Sequence, residues 1–387
     1  MRSFLLFSNL FPGRGLESHG SFIAQRTARL AERLGLGYSV LSPVPAYPPL
    51  PGRSLALRRS RLPRREQWMG VPVRRPRYLH LPGLGLGAQA RRMARGARRV
   101  FERVLEEERP VLVDAQYLYP DAVAALMLLQ GKPTPCLVTA RGSDVNLLAR
   151  LEPVRRQLQQ WLPRARRVLA VSPALARSLE ALVPGLQVEV APNGVDLARF
   201  PALPAPAEPK GDTHLVSVGR LVPGKGAAVL LEALRLDPSL PPLRWLGEGP
   251  ERRRLEKRVR AQGLEGRVAF PGELPPEQVP GFLARGSLFV FPSFREGWPN
   301  AVQEALAAGL PVVARAVGGI PDMLTGCPAA FLVPEEAGPE EWAAAIRRAL
   351  AGEQQALRAA ARARAEQLSW ESMLNLWAPI YEELCRD

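Results

Sequence analysis

Short apolar segments alternate with helix-length segments along almost the whole chain, and this alternation constrains the fold more than any other feature. In the first half the apolar segments lie near residues 4–8, 38–42, 77–81, 111–115, 136–139, 168–171 and 188–191. In the second half they lie near residues 215–219, 243–246, 268–270, 288–291, 311–314 and 330–333. Strands separated by helices pair in parallel, and the helices cover the sheet. The pattern therefore predicts an α/β protein built on parallel sheets.

Two domains are expected, because 387 residues are too many for one ordinary hydrophobic core. A proline-rich stretch without a core pattern, residues 200–209, separates the two halves and reads as a semi-rigid linker. We assign residues 1–200 to an N-terminal domain and residues 201–369 to a C-terminal domain. Parallel α/β sheets bind ligands at the carboxyl ends of their strands, so we expect the two Rossmann-like domains to face across a cleft. A last helix is expected over residues 370–385.

Charge is concentrated in the first half of the chain. Residues 1–200 contain 31 Lys and Arg against 14 Asp and Glu, a net charge of +17, whereas the remainder contains 21 against 23, a net charge of −2. Fourteen arginines lie between Arg53 and Arg99, with Glu66 as the only acidic residue among them. Two interpretations stay open: a solvated face with a compositional bias, or a surface that attracts anionic lipid head groups or an anionic acceptor.

The arginine-rich region contains two different patterns. Residues 53–75 are broken by prolines and show no regular period, which predicts an extended loop. Residues 88–107 are amphipathic and predict a helix with one apolar face. That face comprises Met93, Ala97, Val100, Phe101 and Val104.

Composition also excludes several classes of protein. No apolar run approaches the roughly 18 residues that a membrane span requires. Cys136, Cys327 and Cys385 are few, odd in number and far apart, so neither a disulfide framework nor a zinc site is indicated. We therefore expect a cytoplasmic protein in a reducing compartment.

Residues 291–314 carry the most chemistry. They read as the end of a strand, a tight loop, a helix from Asn300 to about Ala308, and a further strand. Asn300 is a good N-cap, and the free amides that open a helix bind anions. Two carboxylates, Glu296 and Glu304, lie on either side of this helix start with seven residues between them. An anion site beside two carboxylates suggests a ligand with both phosphate and hydroxyl groups, such as a sugar nucleotide.

This segment, continued by residues 308–319 (AGLPVVARAVGG), closely resembles the donor-binding segment of family 4 glycosyltransferases, which have the two-domain GT-B fold. Residues 218–226 (VGRLVPGKG) resemble the phosphate-binding loop of that family. Residues 192–196 (PNGVD) resemble its interdomain segment, and residues 245–250 (WLGEGP) its second C-domain strand and turn. The resemblance implies that the last helix, residues 370–387, crosses back onto the N-terminal domain.

In the C-terminal domain, Arg220 and Lys225 are two cations at the exit of a strand that can neutralise a diphosphate leaving group. Gly219 lets the backbone approach a ligand closely. The resemblance implies that Glu304 accepts hydrogen bonds from the ribose hydroxyls and that Glu296 binds the transferred sugar. We therefore name Arg220, Lys225 and Glu296 as catalytic candidates. The remaining donor-binding candidates here are phosphate-binding residues of the helix start and one residue beside the base: Gly297, Trp298, Pro299, Asn300, Ala301 and Phe270.

Phe270 lies in residues 268–272 (VAFPG), which resemble the segment where the family's backbone contacts the base. Phe270 itself is equally well explained as a core residue.

In the N-terminal domain, residues 9–22 join the first strand to a helix and resemble the glycine-containing loop that covers the donor phosphates. Gly20 is the donor-binding candidate there, and His19 is a candidate for contact with acceptor or sugar. Arg141 is a further donor-binding candidate. It stands where many relatives have a histidine that contacts the transferred sugar, and it could instead bind phosphate or an acidic substituent, a departure that leaves the identity of the sugar open. Asp144 is expected to pair with Arg141 and orient it, and is a second candidate for contact with acceptor or sugar. No Asp-x-Asp pair is present, so neither a metal nor another cofactor is implied.

The sequence thus predicts a retaining glycosyltransferase that transfers a hexosyl unit from a nucleoside-diphosphate sugar to a glycan or lipid-linked acceptor, in cell-surface polysaccharide or glycolipid synthesis. We expect peripheral contact with the inner membrane face. One alternative is a sugar-nucleotide epimerase or hydrolase on the same fold. The other is a basic nucleic-acid-binding protein, against which the arginine-rich stretch matches no recognised recognition module, so no nucleic-acid partner is expected.

Overall fold

The chain forms two compact units, described here from a computed structural model that covers residues 2–17, 19–47, 55–80, 85–200 and 213–386. Unit 1 comprises Met1–Asn193 and Met373–Asp387, and unit 2 comprises Gly194–Ser372. The predicted domain boundaries, after residues 200 and 369, lie a few residues from these divisions. The predicted linker after residue 200 falls outside the described residues.

Unit 1 contains an eight-stranded sheet in the order β10-β9-β8-β7-β1-β2-β5-β4 and a two-stranded sheet of β3 and β6. All pairs are parallel except β4 with β5. The strands are β1 (Ser3–Phe7), β2 (Gly37–Leu41), β3 (Val44–Ala46), β4 (Arg65–Trp68), β5 (Val71–Arg74), β6 (Arg77–Leu79), β7 (Val113–Gln116), β8 (Cys136–Ala140), β9 (Arg167–Ala170) and β10 (Glu189–Val190).

Seven helices of unit 1 connect these strands within the described residues. They are α1 (Ser21–Leu34), α2 (Leu55–Ser60), α3 (Gln89–Glu107), α4 (Val123–Leu128), α5 (Ser143–Asn146), α6 (Glu152–Trp161) and α7 (Pro173–Leu182). The predicted helix over residues 88–107 is confirmed as α3. Its predicted apolar face is buried at Met93, Ala97, Phe101 and Val104, and Val100 is half-buried.

The predicted extended loop over residues 53–75 is wrong. Where the structure describes this stretch, it contains α2 and an antiparallel hairpin of β4 and β5. The hairpin turn has two residues, Met69 and Gly70, with φ of 49° and 81°. Two-residue turns with positive φ at both positions fit the twist of paired strands. Prolines obscured this pattern: Pro72 lies within β5, the strand that pairs with the edge strand β4.

The last helix, α15 (Trp370–Arg386), returns the chain to unit 1, as predicted. Its apolar face, including Leu374, Trp377 and Tyr381, packs into a core that contains Phe4 of β1 and Leu137 of β8. The Trp377 indole donates a hydrogen bond to the Pro192 carbonyl oxygen at 2.8 Å. The amino end of the chain, the middle of unit 1 and the last helix therefore share one hydrophobic core.

Unit 2 contains a six-stranded, fully parallel sheet in the order β13-β12-β11-β14-β15-β16. Its strands are β11 (Leu215–Val218), β12 (Leu243–Leu246), β13 (Val268–Gly272), β14 (Leu288–Phe291), β15 (Val312–Arg315) and β16 (Ala330–Val333). Its helices are α8 (Ala227–Leu236), α9 (Arg252–Ala261), α10 (Val279–Ala284), α11 (Asn300–Ala307), α12 (Ile320–Leu324), α13 (Pro339–Ala351) and α14 (Gln354–Gln367). All six strands predicted for this half are present. Both units are Rossmann-like, as the alternation predicts.

Candidate functional site

The strand order of unit 2 places two loops side by side. The chain runs outward from β11 to β13, then returns to β14 on the other side of β11 and continues outward to β16. In open α/β sheets a crevice forms at the carboxyl ends of the strands where the order reverses. The loops that follow β11 and β14 therefore line the natural ligand site of this unit. These loops carry Arg220 and Lys225, and Glu296, respectively.

An ion pair joins the two loops. The Lys225 Nζ lies 2.5 Å from the Glu296 Oε1 and 5.2 Å from the centre of the Phe291 ring. The Lys225 side chain is 26% exposed and the Glu296 side chain 11% exposed, so the pair is accessible from one side. The backbone also joins the loops, because the Phe294 amide donates to the Gly224 carbonyl oxygen at 2.9 Å. Two residues that are 71 apart in the sequence thus form one charged group at the switch point of the sheet.

The backbone of Glu296 is held in place by the loop after β15. Gly318 has φ of 56°, and a Cβ atom there would lie 1.9 Å from the Glu296 carbonyl oxygen. Only glycine allows this approach and tolerates this φ without strain. Gly318 therefore fixes the backbone position of Glu296, from which the carboxylate extends.

Helix α11 begins immediately after this loop. Pro299 occupies the N-cap position without a side-chain capping bond, and Asn300 is the first helical residue. The prediction of Asn300 as N-cap is therefore wrong by one position; proline at 299 fixes the chain direction instead. Gly297, Trp298 and Pro299 are buried, whereas Asn300 and Ala301 are half-buried. The first amides of a helix have no intrahelical acceptor, so this end of α11 is suited to an anion.

Glu304 lies on the second turn of α11 and is half-buried. Burial raises the pKa of its carboxyl to about 7, and the nearby Arg199 opposes that rise. A carboxylate with an elevated pKa is a functional candidate when it adjoins a probable ligand crevice. Glu304 thus belongs to the same element as the candidate phosphate-binding amides.

Gly219 and Arg220 follow β11 and are held by the neighbouring strand. The Gly219 carbonyl oxygen accepts a hydrogen bond from the Trp245 indole at 2.9 Å, and the Leu221 amide donates to the Glu248 carbonyl oxygen at 2.9 Å. The Arg220 side chain between these anchors is exposed. Its backbone is therefore fixed while its guanidinium can reach solvent or a ligand.

Phe270 lies in the edge strand β13 and packs, half-buried, against the hydrophobic core of unit 2. Core packing accounts for this side chain, and its contact with a base stays a prediction.

In unit 1, Gly20 is the N-cap of α1 with φ of 73°, and a Cβ atom there would lie 1.5 Å from the Leu10 carbonyl oxygen. The strand-to-helix turn therefore requires glycine at this position. His19 is half-buried beside it, and its amide donates to the Leu16 carbonyl oxygen at 3.1 Å. The ring of Phe22, the second residue of α1, lies 5.4 Å from the Arg141 guanidinium. Unit 1 thus brings the start of α1 and the exit of β8 together.

The predicted side-chain pair between Arg141 and Asp144 is wrong. The Asp144 carboxylate instead accepts backbone hydrogen bonds, from the amides of Arg141 at 3.1 Å, Gly142 at 2.7 Å and Leu118 at 2.9 Å. The Arg141 guanidinium donates to the Asn193 Oδ1 at 2.6 Å and to the Gln116 side-chain oxygen. Asp144 therefore shapes the loop, because its buried oxygens satisfy amides that would otherwise lack acceptors.

Burial changes the ionisation of both groups. Burial lowers the pKa of Arg141 to about 9, to which the nearby Arg26 charge contributes. Burial also raises the pKa of Asp144, against the effect of its backbone hydrogen bonds. Arg141 is consequently a poorly solvated cation whose guanidinium is held by hydrogen bonds to Asn193 and Gln116.

Two buried polar clusters of unit 1 were not predicted. In the first, Arg26 forms an ion pair with Asp114, and the Tyr381 hydroxyl donates to the Asp114 carboxylate at 2.6 Å. In the second, the Asn9 side-chain amide donates to the Asp121 carboxylate at 2.6 Å, and burial raises the pKa of Asp121 to about 8. Asn9 lies two residues after the end of β1, and this position near the carboxyl end of a strand could have identified it as a candidate. Nothing in local spacing connects Arg26 with Asp114 and Tyr381.

Within the described ranges, no three His, Cys, Asp or Glu side chains come together as a metal-ligating group. No helix within those ranges combines the length and apolar character needed to cross a bilayer.

Comparison with known families matches both halves of the chain. The family described as "Glycosyltransferase Family 4" matches residues 25–199, and the family described as "Glycosyl transferases group 1" matches residues 202–367. Among curated proteins, TuaC of Bacillus subtilis, named as a teichuronic acid biosynthesis glycosyltransferase, is 30% identical over 329 residues, which span 82% of this chain and 81% of TuaC. WcaL of Escherichia coli, named for colanic acid biosynthesis, is 34% identical over 206 residues, half of each chain.

Solved structures with the same fold cover nearly all of the chain. Sucrose-phosphate synthase of Thermosynechococcus elongatus superposes with a TM-score of 0.79 at 21% identity, covering 99% of both chains. Anabaena HepE in complex with UDP superposes with a TM-score of 0.72 at 18% identity, covering 99% of this chain and 100% of HepE. These similarities establish the GT-B fold. Together with the family matches and the TuaC alignment, they show that the chain belongs to glycosyltransferase family 4 and is a glycosyltransferase.

Proposed function

We propose that this glycosyltransferase takes a hexosyl unit from a nucleoside-diphosphate sugar and transfers it, with retention of the anomeric configuration, to a glycan or lipid-linked acceptor. The observation that carries the proposal is the Lys225–Glu296 pair at the switch point of unit 2, beside the amino end of α11. This arrangement offers a cation and helix amides for a diphosphate, and carboxylates for hydroxyl groups.

The leaving group is the diphosphate, on which negative charge develops as the glycosyl bond breaks. Lys225 and the exposed Arg220 would stabilise that charge, and the amides at the start of α11 would bind the phosphate oxygens. When the donor binds, Lys225 exchanges part of its interaction with Glu296 for one with phosphate. We propose that these cations take the place of a bridging metal, so that the enzyme needs no metal or other cofactor.

The two carboxylates bind the sugars of the donor. Glu304 would accept hydrogen bonds from the ribose hydroxyls, and Glu296 from hydroxyls of the transferred hexose. Charged acceptors make stronger hydrogen bonds with hydroxyl groups than neutral acceptors do. Gly318 supports this role, because it sets the position of the Glu296 loop.

In the retaining route that we propose, the acceptor hydroxyl attacks from the face that the diphosphate leaves. The departing diphosphate oxygen takes the acceptor proton as the new glycosidic bond forms. The side chains of this chain then have two tasks, which are to hold the diphosphate near the anomeric carbon and to stabilise its charge. Unit 1 would bind the acceptor.

The relatives support a role in cell-surface polysaccharide or glycolipid synthesis. TuaC and WcaL are named for teichuronic acid and colanic acid biosynthesis, and an Arabidopsis thaliana relative that matches 42% of this chain is named as a phosphatidylinositol N-acetylglucosaminyltransferase subunit. HepE was solved with UDP and with UDP-glucose. We propose that the enzyme acts in the cytoplasm at the inner membrane face.

A thermal-shift screen of UDP-, GDP- and ADP-sugars tests the donor class, and calorimetry on the responding donor gives its affinity. We expect one nucleotide series to raise the melting temperature. Product analysis by NMR with a lipid-linked or glycan acceptor should then show a retained anomeric configuration. Complete turnover of the donor without any acceptor would instead indicate an epimerase or hydrolase, and no response to any nucleotide sugar would contradict the proposal.

A further inference from the structure

Helix α3 carries its charges in the order that opposes helix stability. Arg91 and Arg92 lie in its first turn, which has no acidic residue, and Glu106 and Glu107 lie in its last turn, which has no basic residue. The dipole of a helix favours acidic residues at the amino end and basic residues at the carboxyl end. The arrangement therefore does not stabilise α3 through the helix dipole. The arginines and the positive end of the dipole together form a strong site for anions.

The exposed arginines of α3 form a stripe. Arg91, Arg95 and Arg98 are exposed and follow one another at spacings of four and three residues, so they point to one side of the helix. Among the described residues, Arg91 and Arg95 have no carboxylate partner, and Arg98 lies 3.8 Å from Glu102 in an exposed pair. Exposed pairs of this kind contribute little to stability. The stripe is therefore not explained by partners within unit 1.

The stripe borders a groove of about 320 Å³ between α3 and α6. Met127 of α4 and the side chains of Gln157 and Gln160 line the groove together with the three arginines. It offers many hydrogen-bond donors and few negative charges. Arginine side chains bind phosphate groups, like carboxylates, through paired hydrogen bonds.

Exposed leucines adjoin the amino end of the stripe. Leu86 is 46% exposed and Leu151 is 42% exposed. The two segments that carry them lie side by side: a Cβ atom on Gly87 would lie 2.7 Å from the Pro153 Cβ, and the Gln157 side chain donates to the Gly87 carbonyl oxygen at 2.6 Å. Basic residues beside exposed leucines are typical of surfaces that lie on a bilayer.

Single-stranded nucleic acids are bound with exposed aromatic rings, on which bases stack. The aromatic residue of this groove, Trp161, is only 8% exposed, and the Arg164 guanidinium covers its ring at 4.7 Å. The surface therefore fits lipid head groups better than bases.

The amino end of α3 lies at the carboxyl edge of the unit 1 sheet. The Tyr119 hydroxyl, which follows β7, donates to the Leu86 carbonyl oxygen. Arg141 and Asn9 also follow strands and lie at this edge. A membrane that contacts the stripe would therefore lie near the edge at which parallel α/β sheets bind their ligands.

We propose that Arg91, Arg95 and Arg98, together with Leu86 and Leu151, form a docking face for the anionic phospholipid head groups of a bilayer. The inference rests on the proposed function, because it gives a reason for the enzyme to meet a lipid-linked acceptor at the membrane. The arginines bind phosphates, and the leucines insert among the head groups.

The test is flotation of the full-length protein with vesicles of phosphatidylcholine alone or mixed in equal parts with phosphatidylglycerol, at increasing NaCl concentrations. The variant is Arg91→Gln/Arg95→Gln/Arg98→Gln. The matched control is Arg253→Gln/Lys257→Gln/Arg260→Gln, which removes three exposed positive charges at the same spacing from α9 of unit 2. Circular dichroism melting shows that both variants fold, and donor binding is measured by calorimetry on the same samples.

We expect wild-type protein to float with the anionic vesicles, and this binding should weaken as salt screens the charges. The α3 variant should lose roughly a hundredfold in its partition coefficient, since each basic residue near an anionic surface contributes about fivefold. The α9 control should stay close to wild type. Leu86→Ser/Leu151→Ser should reduce the binding that persists at high salt.

Unchanged partitioning of the α3 variant, or an equal loss in the α9 control, would overturn the docking face. The affinity of the variants for duplex DNA is measured as well. An equally large loss of DNA affinity in the α3 variant would also overturn it, because it would indicate a general polyanion site. Donor binding that persists when vesicle binding is absent would reject the docking face while the proposed function stands. Docking that persists without donor binding would reject the proposed function alone.

Discussion

Both units contain charged pairs beside their central strands, but the two pairs have different surroundings. In unit 1, the side chains of Arg26 and Asp114 are completely buried, and their partners are protein groups. In unit 2, Arg220 is exposed and the Lys225–Glu296 pair is open to solvent on one side. Buried charges that are already bonded stabilise a fold, whereas charges on accessible loops can exchange their partners for a ligand. The difference teaches that a charged residue beside a central strand indicates a ligand site only when it lies on an accessible loop.

The largest expected effect tests the stabilising role of the buried charges of unit 1. Asp114→Asn should destabilise unit 1 by about 3–5 kcal/mol, because Arg26 would remain buried without a counter-charge. Hydrogen–deuterium exchange in α1 and α15 reports on this unit separately. Arg167→Gln is the control, since it breaks the exposed ion pair with Glu383 and should leave exchange close to wild type. Unchanged exchange in Asp114→Asn would mean that this cluster does not stabilise unit 1.

The second prediction tests the loops of unit 2 in the opposite way. Arg220→Ala should lower kcat by about 10²–10³-fold, because it removes a group that stabilises charge on the leaving diphosphate. The melting temperature should not change, since the Arg220 side chain is exposed. Steady-state kinetics and thermal melting check both parts, with Arg253→Ala on α9 as the control. A lower melting temperature with normal turnover would mean that Arg220 stabilises the fold and does not act on the donor.

Glu304→Ala should weaken donor binding by about 1.5–3 kcal/mol, the range for hydrogen bonds to a charged group. Folding should survive, because burial already disfavours the ionised carboxylate. Calorimetry with the intact nucleotide sugar measures the change. Glu340→Ala, at the exposed start of α13, is a control that should bind the donor normally. Normal donor affinity in Glu304→Ala would contradict the proposal that Glu304 binds the ribose hydroxyls.

A smaller effect follows from the pKa of Glu304, which burial raises from 4.5 to about 7. If the ionised form binds the ribose, donor affinity should fall as pH drops below 7, by up to about tenfold per pH unit. The diphosphate of a nucleotide sugar stays ionised in this range and does not contribute. Calorimetry from pH 6 to pH 8 should show this slope in wild type and a flat profile in Glu304→Gln. An identical slope in both would assign it to another group.

The same raised pKa affects the pH dependence of stability in the opposite direction to that of donor affinity. Between the ordinary pKa of 4.5 and about 7, the folded state binds more protons at Glu304 than the unfolded state does. The contribution of this group to stability is therefore present at low pH and declines as pH rises through that window.

The smallest expected effect concerns metal ions. If Arg220 and Lys225 neutralise the diphosphate, EDTA should leave the initial rate unchanged, and added Mg²⁺ should not restore activity to Arg220→Ala. Initial-rate assays after metal removal check this. A rate that depends on Mg²⁺ would show that these cations are insufficient and that the accessible charges of unit 2 act together with a bound ion.

The fold and the unit 2 site could be predicted to a large extent because their signals are local. Each central strand is a short apolar run, and Lys225, Glu296 and Glu304 lie in segments that resemble known family motifs. The hairpin of β4 and β5 was missed because it lies at the sheet edge, where packing imposes no clear alternation. Its turn uses Met69, which is not a typical residue for positive φ.

The polar clusters of unit 1 could not be predicted, because their members are distant in sequence. Asp114 lies 88 residues from Arg26 and 267 residues from Tyr381. Arg141 was recognised as unusual, but its partners Gln116 and Asn193 depend on how β7, β8 and the end of unit 1 pack together. The contact between Gly318 and Glu296 has the same origin. Local patterns reveal which residues end strands, whereas the folded chain decides what those residues touch.

Because α15 returns to unit 1, synthesis completes unit 1 only after all of unit 2 has been made. Residues 373–386 leave the ribosome after unit 2, yet Trp377 and Tyr381 belong to the same core as Phe4. Unit 2 is synthesised in full before unit 1 has its final helix. During translation, unit 1 cannot complete its core until α15 has been synthesised. A nascent chain arrested before Met373 should therefore have an incomplete unit 1 and a folded unit 2.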